Sequence, residues 1–380
     1  MFSKAIKIFT AFGFEIKVDP SWLLIAALIT WSLSAHYFPT FLPEQTQSVY
    51  LIMALVAMFG FFTSLLIHEM AHSVVARHYG VGIKGITLFI FGGIAELENE
   101  PPTAGIEFWI ALAGPAMSLT LAFCFWIIGE LSLVLGAQEP VSQVLLYLST
   151  INLILAVFNL VPAFPLDGGR VLRAYLWNRS GDILQATATA ARSGTVFAYV
   201  LIGFGTLMLF SGQNLGGLWQ IFIGGFLLLA ARSSYQQQLM KSAFKGKTVR
   251  NLMTESPIVV DPNMTLSELV QNVMLRRHTG FVPVVEHGSV LGYVDSAVLN
   301  GIEHENWSDI RVADVFSPAD AENCVSPHLT ATELFERITR TGRRKYLVVD
   351  GHRLLGVITV TDLLGYLTLI QELHTKPQGA

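Results

Sequence analysis

Six stretches of the chain stay apolar long enough to cross a bilayer as helices, which takes about 20 mostly apolar residues. They cover residues 20–38, 49–76, 105–129, 142–163, 194–211 and 215–231. Two shorter segments have a different period. Phe12 to Asp19 alternates apolar and polar positions like a strand. Ile86 to Leu97 is apolar and β-prone, too short to span as a helix, and interrupted by Gly92-Gly93. From Thr248 onward the apolar runs shrink to strand length and alternate with helical stretches and Gly-containing turns. The pattern predicts a polytopic α-helical membrane domain, of about six transmembrane helices with a small membrane-associated β-sheet, followed by a soluble α/β region.

Composition sharpens this division. The 380 residues are 52% hydrophobic and 14% charged, with a mean hydropathy of +0.52, whereas soluble domains carry about 25% charged residues. Residues 1–250 hold 14 of the 24 Lys and Arg and 12 of the 28 Asp and Glu, so the first part is nearly neutral and the second acidic. Neither part has the basic excess that nucleic-acid binding demands. Two distant cysteines, Cys124 and Cys324, exclude a disulfide framework. The strand-like segment before the first apolar run makes a poor cleavable signal peptide, so that run reads as a retained span. Connections 39–48, 130–141 and 212–214 contain no Lys or Arg, while the others carry all fourteen. The positive-inside rule then places both termini and the tail in the cytoplasm of a multi-pass protein of the cell membrane.

The tail reads as two copies of one unit. In each, a short strand (Ile258–Val260; Asn323–Val325) precedes a helix opened by Thr265 or Thr330, with Glu268 or Glu333 three positions on, the capping-box spacing. A strand pair follows, "FVPVVEHGSVLGYV" and "KYLVVDGHRLLGVI". The two copies resemble a pair of CBS domains, which implies domains at 1–240, 251–310 and 311–370, joined by a linker at 241–250 and ended by a tail at 371–380.

The chemistry lies in the second span, "SLLIHEMAHSVVARHYG". His68 and His72 stand one helical turn apart and present both imidazoles to one metal; Glu69 follows the first. In His-Glu-x-x-His the glutamate takes a proton from a metal-bound water. Ionisable groups inside a span are costly and mark function, against the blander reading of polar residues that only pair with one another. A tetrahedral catalytic zinc needs a third protein ligand. The best candidate is Asp167 in "FNLVPAFPLDGGR", after two helix-breaking prolines and before Gly168-Gly169. Alone, Asp-Gly-Gly reads more readily as a turn.

Through "HEMAH" and "FNLVPAFPLDGGR", residues 15–231 resemble the site-2 protease family of intramembrane zinc metalloproteases, in the bacterial and archaeal branch that carries a CBS pair. The resemblance implies one catalytic Zn2+ held by His68, His72 and Asp167, Glu69 as catalytic base, and Asn159 in contact with substrate or oxyanion. It implies a single-span membrane protein in the lipid bilayer as substrate. The Ile86–Leu97 segment, with Gly92 and Gly93, is expected to bind an unwound substrate by edge addition; its alternative is a sheet that props up the site with Phe12–Val18.

In copy two, Gly356, Thr359 and Asp362 resemble the element with which nucleotide-binding CBS domains hold ribose and phosphate, which implies ATP, ADP or AMP as ligand. Copy one has Asp295 and Val298 at the matching positions, so at most one competent cleft is expected. A homodimerisation module is the alternative role of the pair. His36 and His78 read as interfacial histidines, and Lys241–Arg250 as a solvated linker that faces anionic lipid. A CBS-gated transporter or channel is the alternative to a protease.

Overall fold

The computed structural model of the chain describes residues 5–90, 92–97, 100–211 and 214–375. The expected tail at 371–380 is thus covered only to residue 375, and Lys4 and residues 212–213 lie outside the described residues. Two compact units form, 1–236 and 237–380.

The first unit opens with strands β1 (Ile6–Ala11) and β2 (Phe14–Val18), followed by α1 (Ser21–Ser32), which passes through a π-turn at Leu33–Tyr37 into α2 (Phe38–Phe41). Then come α3 (Gln47–His78), β3 (Ile83–Phe89), β4 (Gly92–Leu97), α4 (Ala104–Val134) and α5 (Glu139–Asn159). The short α6 (Asp167–Ser180) precedes α7 (Ile183–Phe210) and α8 (Asn214–Phe244). Six apolar spans result: α1 to α2 as one, then α3, α4, α5, α7 and α8. Each shows a face that water would not tolerate. On α3, Leu51, Ile52, Val56 and Phe59 point outward, while Ala54, Ala57, Met58 and Phe62 pack inward. Lipid is the solvent that suits such a surface. Inside, small residues bring the helices close: a Cβ on Gly60 of α3 would stand 2.8 Å from Leu148 of α5.

Three sequence expectations need correction. The fourth span stops at Asn159, because Pro162 and Pro165 cannot continue a helix and residues 160–166 form a loop instead. The fifth begins at Ile183, eleven residues before the expected 194; its Ala- and Thr-rich first turns are too polar for a hydropathy window, yet Asp182 caps them by accepting the N–H groups of Leu184 and Gln185. The Ile86–Leu97 segment is the greater part of a hairpin of two strands, β3 and β4, with Gly92 at φ +133° after the turn.

The four strands form one sheet in the order β1-β2-β3-β4. The Phe12–Val18 segment contains the β1–β2 turn, with Phe12 and Gly13 both at positive φ, and then β2, which runs parallel to β3. Arg77, in the last turn of α3, donates to the Phe12 carbonyl (2.6 Å) and lies over the Phe14 ring. Trp22 and Ile25 of α1 and Met58, Phe62 and Leu65 of α3 pack with Leu88, seating the sheet against the spans. Among the described residues β4 pairs only with β3 and is a sheet edge.

The second unit contains the two expected copies. Both capping boxes form, Thr265 with Glu268 and Thr330 with Glu333. The hairpins are Phe281–Glu286 with Ser289–Asp295 and Lys345–Asp350 with Arg353–Thr359. Cys324–Val325 pairs as a strand, but of Ile258–Val260 only Val260 bridges, to Val284, and Ile258 and Val259 are exposed. The expected linker 241–250 is not simply solvated: α8 runs on to Phe244, and Ala243, Phe244 and Val249 are buried in the core of copy two.

Candidate metal centre

His68 and His72 are almost fully buried, at 1% and 5% exposure, on the inward face of α3. Asp167 reaches them from the first residue of α6. Its Oδ2 lies 3.2 Å from His68 Nε2 and 3.1 Å from His72 Nε2, and the two Nε2 atoms are 3.2 Å apart. A tetrahedron of zinc bonds about 2.0–2.1 Å long has edges of roughly 3.3 Å, so the three donors already have the spacing of one face.

The opposite nitrogens explain why these atoms are free. His72 Nδ1 donates to the Ile110 carbonyl at 2.6 Å, and His68 Nδ1 meets Ser118 Oγ at 2.8 Å. A neutral imidazole with its proton on Nδ1 has a lone pair on Nε2. His72 therefore turns a lone pair on Nε2 toward the Asp167 carboxylate and His68 Nε2, a buried grouping that a cation relieves. The residues present fit a zinc ion, and among the described residues this is the one such group of His, Cys, Asp and Glu.

Asp167 is placed by its surroundings. The loop 160–166 folds back on the first turn of α6, where a Cβ on Gly168 would strike the carbonyls of Leu160 and Val161, and one on Gly169 the backbone of Ala163 and Phe164. Only glycines permit that approach. Gly194 of α7 meets the Phe164 carbonyl as closely.

Glu69 follows His68 on α3, and β4 crosses it: a Cβ on Gly93 would lie 2.7 Å from Glu69 Cγ. Gly92 is nearer Leu65, at 4.0 Å. The sheet edge and the glutamate are thus neighbours. Asn159 ends α5 and is half-buried, and among the described residues no hydrogen bond joins it to the three ligands. His36 packs edge-on to Trp31 and His78 to Tyr79; neither joins the metal group.

Sequence reasoning found α4 as a span but missed the part its buried side chains play at the site. Glu107, Ile110, Gly114 and Ser118 are all buried along one face of it. A Cβ on Gly114 would collide with His72 Nε2 and stand 2.6 Å from His68 Nε2. The available signal was a glutamate, a glycine and a serine at helical spacing in an otherwise apolar span.

In the second unit Thr359 donates its N–H and hydroxyl to Asp362 Oδ2, both at 2.8 Å, and its Oγ accepts the Asp362 N–H at 3.3 Å, capping the helix Val360–Thr375. Asp295 accepts the Ala297 N–H and pairs with Lys345 Nζ at 2.8 Å. Burial works against the ionised form of Asp295, and the Lys345 ammonium outweighs it, holding the carboxyl below its usual range.

The profile of Peptidase family M50 matches residues 56–136 and 135–203, and that of the CBS domain residues 249–297 and 312–369. Rip3 of Mycobacterium tuberculosis is 36% identical over 370 residues, 96% of this chain and 93% of its own length. The zinc metalloprotease MJ0392 of Methanocaldococcus jannaschii is 28% identical over 368 residues, 97% of each chain. The solved site-2 protease from Methanocaldococcus jannaschii is similar at 29% identity with a TM-score of 0.43, over 60% of this chain and 94% of that one.

Proposed function

The chain belongs to peptidase family M50, the site-2 protease family of zinc metalloproteases, with a C-terminal CBS pair, and on that footing we propose that it hydrolyses a peptide bond within or beside the transmembrane segment of a single-span membrane protein. The observation that carries this reading is the convergence of Asp167, at the start of α6, on His68 and His72 of the span α3, with Glu69 beside them under a sheet edge.

Zinc bound by these three residues supplies Lewis acidity to a water and to the scissile carbonyl. Glu69 is the general base: it takes a proton from the attacking water and passes one to the amine nitrogen as the C–N bond breaks. Products are a carboxylate and an amine, and water is consumed. Asn159, at the end of α5, contacts the substrate or its oxyanion. The edge of β4, with Gly92 and Gly93, takes an unwound substrate as an added strand, which exposes a carbonyl that a helix would hide.

Both termini and the CBS pair face the cytoplasm on this reading, in accord with the Lys and Arg distribution. His68 then lies about 28 Å along α3 from Val49, in the cytosolic third of the bilayer. Cuts fall in the cytosolic half of the substrate's span.

ATP, ADP or AMP at the Thr359–Asp362 element is the regulatory ligand we assign to the tail, because Gly356, Thr359 and Asp362 match the motif with which nucleotide-binding CBS domains hold ribose and phosphate. Homodimerisation through the pair is the role left if no nucleotide binds.

Comparing membrane proteomes of cells that express wild-type or Glu69→Gln protein tests the function. Single-span fragments should accumulate with Glu69→Gln; identical proteomes would contradict the proposal.

A further inference from the structure

The three ligands come from two helices, α3 and α6, and a third helix holds both. Along one face of α4, Ser118 meets Nδ1 of His68, the Ile110 carbonyl takes the Nδ1 proton of His72, and Glu107 grips Arg173 of α6. Glu107 and Ser118 are eleven residues apart, about three turns, so these attachments share a stripe. Each ligand has one support on α4, and Asp167 has its own through Arg173.

We propose that Glu107, acting through Arg173, is a positioning residue of the metal centre that sets where Asp167 stands. This rests on the zinc reading above. Glu107 is fully buried and Arg173 nearly so. The Arg173 Nε and Nη2 groups both donate to Glu107 Oε1, Nε at 2.7 Å. Two N–H groups on one oxygen fix the rotation of α6 about its axis as well as its distance from α4. The same guanidinium lies over the ring of Phe164, 5.0 Å from its centroid. Arg173 therefore grips the chain on both sides of Asp167, three residues before it and six after.

Mere adhesion of the helices does not call for this pair. A buried ion pair is replaced at no loss of stability by well-packed apolar residues in many proteins, and its better-attested use is to fix one register. Here Glu107 Oε2 has no partner among the described residues, and Arg170 Nε stands 4.0 Å from Oε1. Such a group is a costly way to pack a helix and an effective way to fix one.

The test is zinc affinity, measured on the purified full chain by competition with a chelator, for Glu107→Gln alone and combined with Asp167→Ala. Outer-shell substitutions weaken metal binding by about 10–100-fold, and we expect a loss of that size for Glu107→Gln in the wild-type background. On the Asp167→Ala background the same substitution should add nothing, since its effect passes through Asp167. An equal loss in both backgrounds would show a general structural role and overturn the proposal, as would unchanged affinity in the single variant. Should Glu107→Gln not fold, Arg173→Lys keeps the charge but not the two-pronged grip; it should show the same dependence on Asp167, and wild-type affinity in it would overturn the proposal. A wild-type chain that takes up no zinc would contradict the protease reading itself.

Discussion

Ser118 Oγ stands 2.8 Å from Nδ1 of His68, on the far side of the ring from Asp167. That contact turns Nε2 toward the other donors and holds the ring in that orientation. Ser118→Ala should therefore weaken zinc binding by about 10–100-fold without unfolding the chain. Chelator competition checks it, with a thermal melt as control.

Gly114 is the tightest constraint on the pocket. A methyl there would occupy the space in front of both Nε2 atoms. Gly114→Ala should abolish stoichiometric zinc, as judged by metal analysis of protein that still migrates as a folded species. Full zinc occupancy in this variant would mean that the metal lies elsewhere.

Gly93 lies against the base. Its missing side chain lets β4 cross Glu69, and a Cβ would press on Glu69 Cγ at 2.7 Å. Gly93→Ala should lower the cleavage rate by at least about tenfold, the order of effect for a displaced catalytic group, and leave zinc content unchanged. Loss of zinc together with rate would place β4 in the metal site instead of the substrate site.

In the tail, the Thr359–Asp362 cap and the nucleotide assignment make separable forecasts. Asp362→Ala removes the carboxylate half of this capping box, so the tail's melting point should fall whatever its ligand. Calorimetry of the full chain with ATP, ADP or AMP should show binding that Asp362→Ala weakens. No binding at millimolar nucleotide would return the pair to dimerisation or docking.

Much of this was legible in the sequence because the relevant signals are local. His68, Glu69 and His72 lie within one and a half turns, and the spans are long apolar runs, so spacing alone carries them. Asp167 could be found only by pairing a distant turn motif with the histidines. The supports from α4 were out of reach for a different reason: Ser118 is 50 residues from His68 in sequence, and Glu107 and Gly114 acquire meaning only when α4 packs on α3 and α6. The start of α7 was missed because its Ala- and Thr-rich turns carry helix propensity without hydropathy. The burial of Phe244 and Val249 was missed because a basic, Gly-containing stretch looks solvated until the core of copy two closes over it.

Zinc content and cleavage measured in the same liposome preparation, with single-span fragments that accumulate in Glu69→Gln membranes as substrate, test the metal centre most directly. Wild-type protein should hold one zinc per chain and cut within the span. Glu69→Gln should hold the zinc and cut nothing, while His68→Ala and Asp167→Ala should bind zinc more weakly and cut nothing. Cleavage by Glu69→Gln at the wild-type rate, or equal loss of zinc from all three variants, would contradict the account.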